Sequence, residues 1–365
     1  MKWTGWNRLL KATLLTILIA ALFSAAATAS NNLTVHFLDV GQGDSELIQF
    51  NNKNVLIDGG EQDMGPRVES YLRNHGVSSL DIMVATHPHS DHVGGLIAVL
   101  NDIPVKQVLD IGQAHPSPLY ETFLTLINQK NIPYKNPQQG QTIDLDPNLK
   151  IEVLNPPATQ FTDDLNQNSI VLKVVFNKVS FLLTGDAGFE AENSILAYGY
   201  DLKSDILKVG HHGSSSASSP TFLSKVRPAI SVIEVGAGND YGHPAQTTLD
   251  ALQQIGSKIC RTDLNGNIII TTDGVTYSVT TQRQSGNAAN ISTQPQNPVA
   301  TPSLGPITFT SRASQQFVGS TKSNKYHYPS CRLAQKIKPA NEIWFTSSED
   351  ARAQGYVPCE VCNPP

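Results

Sequence analysis

Directly after the apolar run "DIMVAT" the chain reads "HPHSDHVGG", with three histidines and an aspartate within six residues and two glycines behind them. This stretch constrains the fold more than any other. A short apolar run bounded by polar residues reads as a buried strand. A strand end followed by a tight loop can aim several imidazoles at one point. A solvated polar loop does not need four metal-binding side chains so close together. His87 and His89 alternate by two, so both can face one ion, while Asp91 and His92 are displaced and can serve a second.

From Leu33 to about Thr281 the remaining segments alternate in the same manner. "LTVHFLDV", "SELIQF" and "NVLIDGG" are short β-type runs, and "PRVESYLRNHG" has helical spacing with a glycine stop. Further strands are expected at "IEVLNP", "SIVLKVVF", "VSFLLTGD", "DILKVGHH", "AISVIEVG", "SKICRT", "GNIIITT" and "VTYSVT". Helices are expected at "VGGLIAVLN", "LYETFLTLINQ", Glu190–Tyr198 and near Thr247–Ile255. Strands that meander and then interleave with helices imply two sheets covered by helices. Cys260 stands alone in a strand-like run and reads as a small buried hydrophobe. His36, His75 and His115 are isolated and read as structural.

"THPHSDHVGG" resembles the HxHxDH signature of the metallo-β-lactamase fold family. That likeness extends to "VLIDGG", "LLTGDA" and "LKVGHHGS" in family order. It implies an α/β chain folded as a four-layer αββα sandwich. Asp58 would support the histidine loop, Asp186 would bridge two ions, and His211 or His212 would supply a further ligand. "FLDVGQGDSELIQF", "NQNSIVLKV" and "YGHP" narrow the resemblance to the hydrolase domain of ComEC-type DNA-uptake proteins, without their membrane channel.

One departure stands out. No histidine occurs between His115 and His211, where the family places a third histidine for the first ion. Asn168 in "DLNQNS" is the expected replacement, with Asn166 second. An amide oxygen is a weaker, harder ligand than imidazole, which tilts that site towards Mn²⁺ or water-completed coordination. The metal ligands expected are then His87, His89 and Asn168 for one ion, and Asp91, His92 and one of His211 or His212 for the other, with Asp186 shared. Two divalent ions, zinc or manganese, would lower the pKa of a water between them and so generate the attacking hydroxide. Asp91, Asp186, His211, His212 and His243 are the expected catalytic residues. His243 and the histidine that does not ligate would reach substrate or leaving group. The serine run Ser214–Ser219 offers hydroxyls and amides suited to a phosphate.

The two ends differ from this middle. Residues 1–29 read as an export signal, with Lys2, Arg8 and Lys11 ahead of the apolar Leu14–Phe23 and "ATA" behind it. The apolar run is short and ends in small residues, which favours cleavage over a membrane anchor. The mature chain is expected outside the cytoplasm with no stable membrane span. The hydrolase domain should cover 30–283. Residues 284–313, rich in Ser, Asn, Gln, Thr and Pro, read as a disordered linker.

From 314 to 365 a small α+β domain is expected. His327-x3-Cys331 and Cys359-x2-Cys362 suit a closed tetrahedral zinc site, a staple that so small a domain needs. Three cysteines would leave one unpaired in any disulfide scheme. "HYPSC" and "EDARAQGYVPCEVC" resemble the Ada-type metal-binding domain of DNA-alkylation repair proteins. There the first ligand is the methyl-accepting cysteine. His327 in its place implies a structural or DNA-contacting module without methyl transfer.

The net charge is −5, unevenly placed. The export signal is basic and the C-terminal segment slightly so, which leaves the middle strongly acidic and no platform for gripping nucleic acid. The expected function is an exported metal-dependent phosphodiesterase acting on DNA. A small-molecule or cell-envelope phosphodiesterase, and a DNA-binding protein with little catalysis, are the alternatives. Protein partners are left open by the sequence.

Overall fold

A computed structural model of the chain describes residues 32–158, 162–283 and 292–293, together with 317–364 apart from 330, 346–347, 354, 360 and 363. The expected export signal lies outside the described residues, as does the expected linker except for Ser292 and Thr293.

Among the described residues fifteen strands precede the C-terminal segment: β1 (Leu33–Phe37), β2 (Glu46–Phe50), β3 (Lys53–Ile57), β4 (Ile82–Ala85), β5 (Val108–Asp110), β6 (Tyr134–Lys135), β7 (Lys150–Asn155), β8 (Val171–Phe176), β9 (Val179–Leu183), β10 (Ile206–Lys208), β11 (Ile230–Ile233), β12 (Lys258–Arg261), β13 (Ile268–Thr272), β14 (Tyr277–Thr281) and β15 (Ser292–Thr293). They form two mixed sheets. The first has the order β15-β14-β13-β1-β2-β3-β4-β5-β6, and the second β12-β11-β10-β9-β8-β7. Each sheet is antiparallel on one side and parallel on the other, with β3 to β6 parallel in the first and β9 to β12 in the second.

The period-two pattern of the strands builds the layers. Ile82 and Val84 of β4 face the second sheet, where Leu172, Val174, Phe181 and Leu183 meet them in one core. Met83 and Ala85 point the other way, onto helices Gly65–Asn74, Leu96–Asp102 and Pro118–Gln129. Val171 and Leu182 likewise pack outward against helices Phe189–Tyr198, Pro220–Val226 and Gln246–Gln254. Four layers result, helix–sheet–sheet–helix, as the resemblance implies. Cys260 is buried in the core between the sheets.

Ser292 and Thr293, inside the segment read as a disordered linker, pair with Ser278 and Tyr277 of β14. The outer edge of β14 offers open backbone groups, and even a polar segment can satisfy them.

The C-terminal segment forms its own sheet from β16 (Phe317–Ser320), β17 (Lys325–His327), β18 (Glu342–Phe345) and β19 (Val357–Pro358), in the order β18-β16-β17-β19. Its cores are small: Phe317, Tyr326 and Phe345 with Ala351, and Val318 and Ala334 with Cys331 and Cys359. Among the described residues no helix is long and apolar enough to cross a membrane.

Candidate metal centre

The parallel strands of both sheets end at one place. β3 delivers Asp58, β4 the histidine loop, β9 Asp186, and β10 the pair His211–His212. Loops at the carboxyl ends of parallel strands are where such sheets gather function. Close backbone approach holds the site together. A β-carbon on Gly43 would run into the Asp91 carbonyl, and one on Gly95 into the Gly59 carbonyl. The glycines of "DVGQGD" and "HVGG" therefore let the loops after β1, β3 and β4 touch.

Asp186 Oδ2 is the focus. It lies 3.3 Å from His92 Nε2, 3.5 Å from His212 Nε2, 3.8 Å from His211 Nε2 and 3.9 Å from His87 Nε2. Asp91 Oδ2 is 3.3 Å from His212 Nε2 and 3.8 Å from His92 Nε2. Asp91, His92, Asp186 and His212 thus converge as one ligand set. On the other flank His87 Nε2 and His89 Nδ1 are 2.9 Å apart. Two imidazole lone pairs at that distance repel unless a proton or a cation lies between them.

The partners of each ring decide which nitrogen faces inward. His92 Nδ1 lies 2.7 Å from Asp58 Oδ2, and Asp58 also accepts from the Thr86 amide at 2.8 Å and its hydroxyl at 2.6 Å. Asp58 supports the histidine loop as the resemblance implies. His212 Nδ1 faces the Glu234 carbonyl at 2.9 Å and Asp44 Oδ1 at 3.2 Å. Anchoring one ring nitrogen leaves the other for a metal. The Nε2 atoms of His92 and His212, and Asp186 Oδ1, are buried with no hydrogen-bond partner. Buried polar atoms are normally satisfied. These orphans, a shared carboxylate and imidazoles on both sides fit divalent ions.

The electrostatics agree. Burial holds His87, His89 and His211 below the usual histidine range, so each keeps a lone pair. Burial acts the same way on His92 and His212, but the carboxylates outweigh it. Asp186, Asp91 and Asp58 raise His92 well above its ordinary 6.5, and Asp186 and Asp44 raise His212 to about 10. Burial would push Asp186 and Asp91 up, yet the imidazoles hold both low. The site demands positive charge, which metal ions supply in place of protons.

His211 and His212 were left as alternatives by the motif. Both occupy left-handed backbone, at φ 49° and 52°, a conformation that costs energy for non-glycine residues. His212 joins Asp91, His92 and Asp186, whereas His211 is about a quarter exposed and turns towards the rim. There Asn166 Nδ2 is 3.3 Å from His211 Nε2, and the His243 ring stands edge-on at 5.4 Å.

Two expectations fail here. Asn168 does not face the histidines. Its Oδ1 accepts from the Thr162 amide at 3.1 Å, and its Nδ2 donates to Gln113 Oε1 at 2.6 Å and the Thr162 carbonyl at 2.8 Å, so the side chain is spent in tying loops together. Asn166 is the asparagine that reaches the site, with a buried Oδ1 lacking a partner. The serine run does not wait for a phosphate either. The amides of Ser218 and Ser219 both donate to the buried Glu192 carboxylate.

Sequence reasoning missed the layer behind the ligands. Lys208, fully buried, pairs with Asp44, donates to the Gly185 carbonyl at 2.8 Å and lies 4.0 Å from Asp186 Oδ1. Glu46 and Glu234 complete this layer. Burial and then Asp44 push Glu46 up to about 8, and burial and then Glu46 push Glu234 well above the carboxylate range. The signal was present, since charged residues within "DVGQGDSELI", "ILKVG" and "VIEVG" sit where apolar ones are expected. The His115 ring lies 6.2 Å from that of His89.

In the C-terminal sheet domain His327, Cys331, Cys359 and Cys362 place their ligand atoms within 4.8 Å of one another, with Cys362 Sγ 3.9 Å from His327 Nδ1. Bonds of about 2.0–2.3 Å in a tetrahedron separate ligand atoms by roughly 3.5 Å, so this set fits zinc. All four cysteines of the chain are free. A cavity of about 580 Å³ beside the cluster is lined by Lys322, Lys325, Lys336 and Lys338.

Residues 38–236 match the metallo-beta-lactamase superfamily. The chain belongs to that superfamily. The convergent histidines and carboxylates form a candidate metal site within that fold. Residues 308–365 match the metal binding domain of Ada. ComE operon protein 3 of Bacillus subtilis is 29% identical over 252 residues, covering 64% of this chain and 32% of that protein. Competence protein ComA of Neisseria gonorrhoeae is 34% identical over 242 residues, covering 66% and 32%. The chain thus spans about a third of the length of these relatives. Igni18, a metallo hydrolase from Ignicoccus hospitalis, aligns with a TM-score of 0.44 at 19% identity, covering 66% of this chain and 98% of that one.

Proposed function

We propose that this metallo-beta-lactamase superfamily member is an extracytoplasmic phosphodiesterase acting on DNA. The observation that carries the hydrolytic part is the single oxygen of Asp186 within 4 Å of four imidazoles drawn from both sheets. His87 and His89 would hold one ion, and Asp91, His92 and His212 the other. Bound ions supply charge neutralisation for a phosphate diester and activation of water. The residues do the rest. Asp58 and Asp44 orient the rings of His92 and His212, and His211, with Asn166 and His243 beside it, faces the space where a leaving group would depart.

The DNA part is supported by the likeness to competence proteins and by the lysine-lined cavity of the C-terminal domain. The acidic middle of the chain favours a second reading, a small-molecule or envelope diester. The deciding experiment compares full-length protein with a variant lacking residues 314–365, Mn²⁺ or Zn²⁺ supplied. On the DNA reading the deletion weakens binding to long DNA and flattens its salt dependence, while a small chromogenic diester is cleaved as before. Full-length protein that cleaves the small diester but neither binds nor cuts DNA at low salt would establish the second reading. Tight DNA binding without cleavage of any diester would leave a binding protein.

A further inference from the structure

Tyr241 is 72% exposed, more than any other large hydrophobic residue among those described. It sits in the loop "GAGNDYGHP", Gly236–Pro244, which leaves the end of β11 beside the site. The loop is not presented loosely. The side chain of Asn239 alone makes four hydrogen bonds inside it, donating to the Gly236 and His243 carbonyls at 2.9 and 2.7 Å and accepting from the Tyr241 and His243 amides at 3.1 and 3.0 Å. The Tyr241 ring stacks on His243 at 5.7 Å and 24° between planes. His243 meets His211 edge-on, and His211 reaches Asp186. An aromatic series thus runs from solvent to the centre of the ligand set, and it ends in a free π-face.

Resting on the phosphodiesterase reading, we propose that Tyr241 is a stacking platform for the nucleobase next to the scissile phosphate, so that the substrate is a nucleic acid strand with unpaired bases. The loop carries no lysine or arginine, and its one charge is Asp240, so it has no means of gripping phosphate. It offers a flat, rigidly held ring to a flat partner. Bases within a duplex are already stacked on both faces and have none to give, whereas single strands and frayed ends do. Stacking of this type accepts every base and gives affinity without sequence choice.

The test measures binding by the full-length protein, with Mn²⁺ present, of a four-residue oligothymidylate made cleavage-resistant with phosphorothioate linkages. The control is the same strand with abasic residues. Wild type should bind the thymidylate about tenfold more tightly. Tyr241→Phe should keep that preference. Tyr241→Ala should reduce it to within about twofold with an unchanged melting temperature, because the side chain is exposed. Equal binding of both strands by wild type overturns the proposal. So does a Tyr241→Ala loss that is the same for both strands, or a Tyr241→Phe variant that behaves like alanine. Failure of the phosphodiesterase reading shows separately, as wild-type protein that cleaves no diester with either metal, whatever the binding preference.

Discussion

Asp44 Oδ1 stands 3.2 Å from His212 Nδ1, and the other oxygen of the same carboxylate takes the Lys208 ammonium. One buried carboxylate thereby connects a ring of the ligand set to a lysine that also holds the Gly185 carbonyl, one residue before Asp186. Ligands from two different strand ends are positioned by one cation.

Lys208→Met removes that cation and leaves Asp44 buried with its main counter-charge gone. Breaking such a pair from one side costs about 3–5 kcal/mol. Urea unfolding of the metal-free protein should show a loss of that order, and Asp44→Asn in the same background should restore part of it. A single variant within about 1 kcal/mol of wild type would mean that the pair is not ionised.

Asp186→Ala should abolish hydrolysis while the fold persists, as read from far-UV circular dichroism. Losing the carboxylate at the focus of four imidazoles should cost about 3 kcal/mol or more of transition-state stabilisation. Metal analysis should show that the variant retains less of both ions. Near-normal turnover would refute the shared-carboxylate arrangement.

Glu46 gives a pH signature. Its folded pKa is raised from 4.5 to about 8 by burial and then by Asp44. The unfolded chain releases this proton near pH 4.5 and the folded chain keeps it. The contribution is fully present below 4.5, and it declines as pH rises towards 8. Glu46→Gln cannot ionise, so the metal-free variant should lose less stability between pH 5 and 8 than wild type does. Parallel wild-type and variant stability curves over that range would contradict this assignment.

Brief proteolysis should cut between about Gln284 and Pro306, where large apolar residues are scarce, and release two folded pieces. The C-terminal piece should unfold when zinc is chelated and refold when it is returned, because ligand binding and folding are coupled in a domain with so few buried residues. A resistant core spanning both halves, or a C-terminal piece indifferent to chelation, would refute this.

The ligand loops were legible because each stands at a strand end whose apolar run announces it. "DIMVAT", "SFLLT" and "DILKV" all declare a strand, and the polar residues after them have nowhere else to point. The choice between His211 and His212 was not legible, since it rests on two consecutive left-handed residues that only the turn reveals. Asn168 misled for a related reason. It stands next to the strand, but Gln113 and Thr162 from distant or flanking loops claim its amide. The layer of Asp44, Glu46, Lys208 and Glu234 escaped because a charge inside an apolar run shows its own position but not its partners, and the first two meet the last two only when the sheets pack together.

Each sheet carries only part of the centre. His87, His89, Asp91 and His92 follow β4 of the first, whereas Asp186, His211 and His212 follow β9 and β10 of the second. Neither half of the sandwich owns a complete ligand set, so metal capture has to be a late event in folding, possible only after the sheets have docked. A chain lacking residues 314–365 and severed between β6 and β7 should yield two fragments that each bind metal poorly alone and acquire it together, and ion uptake would then serve as a clock for assembly.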